Sequence, residues 1–244
     1  MKTVLTVAGS DPSGGAGIQA DIKTITAHGL YATSAITALT VQNTLGVSRV
    51  EPVPVDLVAQ QIDCVVGDIR PDAVKIGMLC NAEIVQAVAQ ALAHGQAECI
   101  VIDPVMISTS GHRLLDQEAV QWMKRKLFPM AQLITPNLPE AEALCGMRVR
   151  DEAEMERAAR LLSDQTGGGG APQRGASCQD GGRFAASKWG SSLAPGPQGG
   201  KFQYAWHRLH AFLCDCLWLS AGAIARGERS GSEGVSHECA ACRA

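Results

Sequence analysis

The sequence lacks three features that would place it in other classes of protein. No apolar run approaches the roughly 18 residues that a membrane-spanning helix needs. Positive charge is not in excess, since the net charge is -3 and the pI is near 6.1, so a nucleic-acid surface is not indicated. The first residues, MKTVLTVAGSDPSGG, lack the long apolar block and cleavage site of a secretory signal. We therefore expect a cytoplasmic protein with neither a nucleic-acid nor a membrane partner.

The sequence does contain enough apolar material for a folded core. Of its 244 residues, 46% are hydrophobic and 18% are charged, which is too mixed a composition for a disordered chain. Nine cysteines are present, an odd number that cannot all pair internally. Four of the cysteines lack the spacing of metal ligands, and we expect them to behave as small buried apolar residues. They are Cys64, Cys80, Cys99 and Cys145.

The β-branched residues nearly stop two thirds of the way along the chain. Residues 167–244 contain only Ile224 and Val235, whereas the preceding part is rich in both residue types. Strands need such residues, so the second part offers almost no material for a sheet. Residues 167–200 are rich in Gly, Ser and Pro, as disordered linkers are. We predict one folded domain over residues 1–166, a sheet that is incomplete after it, and a largely disordered remainder over residues 167–244.

Strand and helix signals alternate along the first part. Apolar runs predict strands at residues 3–9, 31–42, 73–78, 99–105 and 133–137. Apolar spacing and capping residues predict helices at residues 14–28, 56–69 with Asp56 as the cap, 82–95 with Asn81 as the cap, 115–130, 139–146 and 151–165. This alternation favours an α/β fold with a mostly parallel sheet and helices on both faces.

Chemistry-bearing residues follow the ends of these predicted strands. The first strand ends at Gly9, the second at Gln42, the fourth at Asp103 and the fifth at Asn137. Ligands of open parallel sheets bind at the carboxyl ends of the strands. The sequence therefore predicts a site at this edge.

The loop GSDPSGGAG at residues 9–17 has two interpretations. Its glycines, just before a helix, would let a ligand approach the backbone, and helix N-terminal amides favour anions. The loop is neither a Walker loop nor GxGxxG, and it is equally compatible with a tight strand-to-helix turn.

The other candidates also have ordinary structural interpretations. The amide of Gln42 could pair with an aminopyrimidine edge or simply bond its own loop. Met78 and Val105 could wall a flat ring or belong to the core. Asp103 and the Asn137–Glu140 pair could serve Mg²⁺ and phosphate, or that pair could cap a helix.

Several stretches together resemble the hydroxymethylpyrimidine/phosphomethylpyrimidine kinases of thiamine biosynthesis, which belong to the ribokinase-like superfamily. They are AGSDPSGGAGIQADIKT (8–24), TALTVQNT (37–44), VKIGML (74–79), VIDPVM (101–106), STSGHRLL (108–115) and TPNLPEAEAL (135–144). The resemblance covers residues 1 to about 166. It implies a kinase that uses ATP to phosphorylate the hydroxymethyl group of 4-amino-5-hydroxymethyl-2-methylpyrimidine and then adds a second phosphate.

The resemblance also implies roles for individual residues. Gln42 would pair with the pyrimidine edge, with Gly9, Asp21, Met78 and Val105 around the ring. The residues that would organise Mg²⁺ and the phosphates are Asp103, Asn137 and Glu140. The family is commonly homodimeric. Two alternatives stay open: a pyridoxine or pyridoxal kinase, and a non-catalytic pyrimidine-binding module.

One motif of the family is missing. The pattern requires a late stretch of the form NTHGTGCT, whose Gly-rich turn forms the anion hole for the transferred phosphate and whose Cys is the proposed base. This sequence contains no such stretch. An anion hole is a large part of phosphoryl-transfer catalysis, so this chain is expected to be weakly active or inactive, and its catalytic residues are unknown.

A slipped reading frame would explain the loss. When the codons of residues 203–219 (QYAWHRLHAFLCDCLWL) are read from their second bases, they can spell NTHGTGCTLSSAIASGL. Two glycines of that reading are forced by the TGG codons of Trp206 and Trp218, and every other position is permitted. Residues 176–182 (ASCQDGG) can likewise spell LVVKTGG. The slip would lie near residues 166–170.

The same interpretation removes a possible zinc site. Cys214, Cys216, His237, Cys239 and Cys242 have spacings that would otherwise suggest metal binding. In an out-of-frame segment this clustering carries no functional weight, so we expect no zinc there.

Overall fold

The computed structural model describes residues 1–97, 99–106 and 115–166, together with the backbone of two short strands further along the chain. Nine strands are described: β1 (Thr3–Ala8), β2 (Tyr31–Ile36), β3 (Ala38–Gln42), β4 (Val47–Pro52), β5 (Ala73–Ile76), β6 (Ile100–Ile102), β7 (Leu133–Ile134), β8 (Ala176–Gln179) and β9 (Arg183–Ser187). Six α-helices are described: α1 (Gly17–Ala27), α2 (Val55–Asp68), α3 (Ala82–His94), α4 (Gln117–Trp122), α5 (Leu138–Cys145) and α6 (Glu152–Ser163). Among the described helices, none is both long and apolar enough to cross a bilayer.

The main sheet has the order β2-β1-β5-β6-β7-β9-β8. Its first five strands are mutually parallel, whereas β9 runs antiparallel to both β7 and β8. This confirms the predicted α/β class and the mostly parallel sheet. The carboxyl ends of β1, β5, β6 and β7 therefore lie along one edge of the molecule.

The core lies on both faces of this sheet because side chains alternate along each strand. One face contributes Val4, Ala73, Val101 and Leu133, which pack with Ile25 of α1. The opposite face contributes a larger set of buried residues from the same strands, and these pack against α2, α3 and the helices that follow. The predicted covering of both faces is confirmed.

The segment at residues 31–42 differs from its prediction. Instead of one strand it forms β2, which joins the main sheet, and β3, which pairs antiparallel with β4 in a separate two-stranded ribbon. The break falls at the buried Thr37, whose N–H donates to Ala8 O while its carbonyl accepts from Val53 N. The sequence had indicated that Gln42 ends a strand of the main sheet. In the structure Gln42 ends β3, a strand of the ribbon.

Two helix predictions also need correction. Asp56 lies within the first turn of α2, whose N-cap is Pro54, so Asp56 is not the cap. The predicted helix at residues 115–130 is α4 followed by a π-helical turn (Met123–Leu127) and a 3₁₀ turn (Phe128–Met130). By contrast, Asn81 caps α3 as predicted, with its side chain accepting from Ile84 N at 2.9 Å.

The strands β8 and β9 are a further difference from the sequence-based expectation. They extend the sheet past residue 166 as an antiparallel hairpin, in a region with almost no β-branched residues. The sequence between them is Asp180, Gly181 and Gly182. An Asp-Gly pair favours a hairpin turn, which a count of β-branched residues does not detect. These nine residues extend the sheet beyond residue 166, where the sequence offers almost no β-branched residues.

Candidate functional site

Gly9 and Met78 meet where β1 and β5 end. A Cβ placed on Gly9 would overlap the Cε methyl group of Met78 and would lie 3.7 Å from the carbonyl oxygen of Ala38. A side chain at this position would therefore require the Met78 methyl group to move. The two residues that the sequence placed around a flat ring are thus in contact.

The β3–β4 ribbon carries Gln42 toward the same loop. Ser10 N donates to Ala38 O at 2.8 Å, and Thr40 Oγ1 donates to Ser10 O at 2.9 Å. The Oε1 atom of Gln42 lies 3.5 Å from the same Thr40 hydroxyl. This distance places the Gln42 amide on the same side of β3 as the Thr40 hydroxyl, which faces the first loop.

A buried threonine fixes the other side of this group. The hydroxyl of Thr37 donates to the carbonyl oxygen of Met78 at 2.6 Å. Loop, ribbon and β5 are therefore joined by direct hydrogen bonds, which hold Gly9, Gln42 and Met78 in one rigid arrangement.

The Gly-rich loop is occupied by its own aspartate. The buried carboxylate of Asp11 accepts from the N–H and hydroxyl of Ser13 at 2.8 and 2.7 Å, from Gly15 N at 3.1 Å and from Ala16 N at 2.8 Å. Amides that could have held a ligand anion are already satisfied by an internal one. The loop is thus the tight turn of its second interpretation. Gly17, at φ +56°, completes it, because a Cβ there would overlap the carbonyl oxygen of Gly9.

Asp21 is buried one turn into α1 and accepts three hydrogen bonds from side chains of the sheet. Its Oδ2 accepts from the Thr6 hydroxyl at 2.6 Å, and the ammonium of Lys75 donates to Oδ1 and Oδ2 at 3.0 and 2.8 Å. The two side chains of this ion pair are only 12% (Lys75) and 5% (Asp21) exposed. Asp21 thus joins α1 to β1 and β5, the two strands that lead to Gly9 and Met78.

Asp103 and Val105 follow β6, the neighbour of β5. Asp103 is 7% exposed, and its N–H donates to Ile76 O at 2.8 Å, which places the residue level with Gly77. Val105 is half-buried, and its N–H donates back to Asp103 O. The structure therefore brings Asp103 to the same edge as Gly9 and Met78.

Asn137 and Glu140 form a reciprocal capping box at the start of α5. Asn137 Oδ1 accepts from Glu140 N, and Glu140 Oε2 accepts from Asn137 N, both at 2.8 Å. The capping interpretation is thus realised. It leaves room for a second role, because β7 is the neighbour of β6 and the box lies at the same edge as Asp103.

Within the described ranges, no group of three or more His, Cys, Asp or Glu side chains could hold a metal ion. A Mg²⁺ ion that accompanies a nucleotide needs only one or two protein carboxylates, because phosphates and water complete its shell. Asp103, after β6, and Glu140, in the first turn of α5 after β7, are carboxylates of the kind that such an ion binds.

Cys80 lies two residues past Met78 in an unusual backbone turn. Its φ is +68°, and Asn81 N donates to Leu79 O at 2.9 Å, which closes a γ-turn around it. Burial raises the pKa of the Cys80 thiol to about 11. This cysteine is therefore protonated at neutral pH and unsuited to act as a base or nucleophile there.

Sequence reasoning missed Asp11, Thr37, Thr40 and Lys75. A signal existed for Lys75, because a lysine inside the apolar run AVKIGM must be paired if the run is buried. The stretch STSGHRLL, except for Leu115, and the Cys/His cluster of the second part lie outside the described residues, as does the segment whose shifted frame spells the missing motif.

Solved structures with the same fold are vitamin kinases. The phosphomethylpyrimidine kinase of Clostridium difficile is 33% identical, with a TM-score of 0.67 over 91% of this chain and 100% of that one. A pyridoxal kinase of Bacillus subtilis, solved with ADP, is 36% identical, with a TM-score of 0.61 over 68% of this chain and 62% of that one. The chain therefore has the ribokinase-like fold of the vitamin kinases.

A model of the phosphomethylpyrimidine kinase family matches residues 11–171. The hydroxymethylpyrimidine/phosphomethylpyrimidine kinase of Haemophilus influenzae is 49% identical over 165 residues, which are 68% of this chain and 61% of that protein. This chain belongs to the phosphomethylpyrimidine kinase family, as the sequence motifs indicated. It spans between about a third and three fifths of the length of the curated relatives it matches.

Proposed function

We propose that the chain derives from an ATP-dependent kinase that phosphorylates 4-amino-5-hydroxymethyl-2-methylpyrimidine and its monophosphate in the cytoplasm, for thiamine diphosphate biosynthesis. The observation that carries the proposal is the hydrogen-bonded assembly of Gly9, Gln42 and Met78 at the sheet edge next to Asp103. A flat ring bound there would stack against Met78 and pair with an amide that both donates and accepts. Family membership supplies the reaction class.

The proposed site has two parts at neighbouring strand ends. The residues that would bind the pyrimidine form its ring side, and those that would bind the phosphates form its phosphate side. Gln42, with Gly9, Asp21, Met78 and Val105, would hold the pyrimidine so that its hydroxymethyl oxygen faces the ends of β6 and β7. Asp103, Asn137 and Glu140 would organise the phosphates of ATP and the Mg²⁺ that neutralises them. When bound, Mg²⁺ supplies charge stabilisation to the transferred phosphoryl group.

We further propose that residues from about 167 onward are read out of frame. In support, the alignment with the Haemophilus relative covers 165 residues, and the family match ends at residue 171. The chain as written would then lack the anion hole and show little or no turnover. Its surviving part would keep the ring pocket.

The test is a comparison of two proteins that differ by one base near codons 166–170. ADP release would be measured with the hydroxymethylpyrimidine as acceptor. The frame-restored protein is expected to turn over at least a hundredfold faster, since an anion-hole donor is worth about 10²–10³ in kcat. Equal rates for the two proteins would contradict the proposal.

A matched pair of substitutions in the restored protein tests the ring side. Gln42→Leu is expected to raise KM for the pyrimidine by about tenfold or more, because the ring then loses a pair of hydrogen bonds. Gln90→Leu, on the exposed side of α3, should leave KM unchanged. If both variants behave alike, Gln42 does not read the ring.

Pyridoxal phosphorylation is the second candidate. It is favoured by the likeness to pyridoxal kinases of Bacillus subtilis and Staphylococcus aureus at 34–36% identity. The two substrates share a hydroxymethyl group on a flat heteroaromatic ring. A higher kcat/KM for pyridoxal than for the pyrimidine in the restored protein would select this alternative. Ligand binding with no phosphate transfer by either protein would select a non-catalytic pyrimidine-binding module.

A homodimer is also proposed, with the outer face of the β3–β4 ribbon as the contact. Leu39 and Val41 on that face are 55% and 58% exposed, and across from them lie Glu51 and Arg49. Arg49 and Glu51 pair with each other at 2.6 Å, and a two-fold axis would place the two apolar side chains of each copy against the same patch of the other. Sedimentation velocity should show a dimer that Leu39→Lys with Val41→Lys converts to a monomer, whereas Leu161→Lys, on α6, should not.

A further inference from the structure

Lys75 is a charge whose side chain is only 12% exposed and which the proposed mechanism does not yet use. It lies in the middle of β5, on the sheet face that α1 covers, directly across from Thr6 in the strand register. Its ammonium binds both carboxylate oxygens of Asp21. A buried ion pair is often no more stabilising than a well-packed apolar pair, so fold stability alone does not account for it.

The position of the ammonium is informative. A Cβ placed on Gly77 would lie 3.1 Å from the Lys75 Nζ atom, so this atom sits directly beside the backbone that leads to Met78. The strand β5 also lies between β1, which leads to Gly9, and β6, which leads to Asp103. Lys75 is thus located under the junction between the ring side and the phosphate side.

The hydrogen bonds of Asp21 leave it one free acceptor position. Among the described residues, Oδ2 accepts from both Thr6 and Lys75, whereas Oδ1 accepts from Lys75 alone. Each carboxylate oxygen can accept about two hydrogen bonds. With the ammonium and the hydroxyl in place, the carboxylate is fixed in orientation, and Oδ1 retains the capacity for one further donor.

We infer that Lys75 is a positioning residue for substrate, which orients Asp21 so that its Oδ1 accepts a hydrogen bond from the amino or hydroxyl group of the bound heteroaromatic alcohol. This inference rests on the proposed function. It goes beyond the ring contacts in assigning a role to a residue that touches no substrate. Without Lys75 the carboxylate would be buried with one hydroxyl partner and free to rotate.

The test uses the full chain as written, because ligand binding does not need the anion hole. Calorimetric Kd values would be measured for the hydroxymethylpyrimidine and for pyridoxal, alongside the melting temperature. Lys75→Met is expected to weaken binding of the preferred alcohol by about tenfold or more, which is the weight of one charge-assisted hydrogen bond. Lys75→Arg, which can again grip both oxygens, should recover part of the loss. Lys2→Met, which breaks the exposed Lys2–Asp72 pair at the opposite edge of the sheet, is the control and should not change Kd.

A double variant separates positioning from stability. Lys75→Met with Asp21→Asn removes both buried charges, so its melting temperature is expected to exceed that of Lys75→Met alone while its affinity stays low. Recovery of wild-type affinity in the double variant, or an unchanged Kd in Lys75→Met, would overturn the inference. Preference for pyridoxal would overturn the proposed substrate alone, since the variants can be compared on pyridoxal. A chain that binds neither alcohol would overturn the inference together with the proposed pocket.

Discussion

At the scale of single residues, Asp11 determines what the glycine-rich loop can bind. Its carboxylate accepts from three backbone amides of the turn before α1, and it is 2% exposed. An outside anion would have to displace it. The aspartate therefore converts a loop that resembles a phosphate cradle into a rigid support for Gly9.

Replacing this carboxylate should reverse that effect. Asp11→Ala is expected to destabilise the protein by about 2 kcal/mol, because it strips a buried turn of its acceptor. The amides of Gly15 and Ala16, once free, should bind sulfate at the start of α1. Thermal melts with and without sulfate would show a larger salt-specific gain for the variant than for the parent, with chloride at equal ionic strength as the control. An equal gain in both proteins would mean that the amides were never the anion site.

The left-handed backbone at Cys80 makes a second prediction at this scale. A β-branched residue is strongly disfavoured at φ +68°, whereas glycine adopts it freely. Cys80→Val should therefore be less stable than Cys80→Gly by about 2 kcal/mol, although valine is the better match in size. Urea unfolding of the two variants measures the difference. The opposite order of stability would show that side-chain packing, and not the γ-turn, governs this position.

At the scale of elements, the α5 cap joins a structural and a proposed chemical role. The Asn137–Glu140 box satisfies two amides at a helix start that lies beside Asp103. Carboxylates near a helix N-terminus are also stabilised by the helix dipole. Removal of either side chain should therefore affect stability and function to different extents.

Glu140→Gln separates the two roles, because glutamine keeps the capping-box acceptor and removes the charge. In the frame-restored protein this variant is expected to melt within a few degrees of the parent but to lose activity at limiting Mg²⁺. Asn137→Ala should instead cost about 1 kcal/mol of stability. If Glu140→Gln keeps full activity at every Mg²⁺ concentration, Glu140 serves only as a cap.

Most elements of the first part were predictable because each carries its own local signal. Apolar runs located β1, β5, β6 and β7, and the side chain of Asn81 located the start of α3. The ribbon was not predictable in the same way, since the separation of β2 from β3 depends on long-range hydrogen bonds made by Thr37. Likewise, Gly9 and Met78 were recognisable as candidates, but the ion pair of Lys75 with Asp21 joins residues 54 positions apart and appears only in the folded chain.

At the scale of the whole molecule, the second part of the chain determines how cooperative the fold can be. Residues 1–166 supply the described core, whereas residues 167–244 have a composition that buries little apolar surface. The dependence of unfolding free energy on denaturant scales with the surface that unfolding exposes.

The two reading frames should therefore differ in more than activity. The frame-restored protein is expected to unfold with a steeper urea dependence and a higher midpoint than the chain as written, because a completed sheet buries more surface. Equilibrium unfolding followed by circular dichroism measures both quantities. Identical slopes would indicate that the second part folds equally well in either frame, against the proposed slip.

The hairpin of β8 and β9 affects how readily the chain aggregates through the edge of its sheet. Leu133 and Ile134 of β7 pair with Ser187 and Ala186 of β9, so the main-chain groups on that side are not left open. The hydrogen bonds between strands use backbone atoms, so a segment with few β-branched residues can still pair with the edge of a sheet. Truncation at residue 166 would remove β9 and leave β7 as an unpaired edge strand. The truncated protein should therefore aggregate at a lower concentration than the longer one.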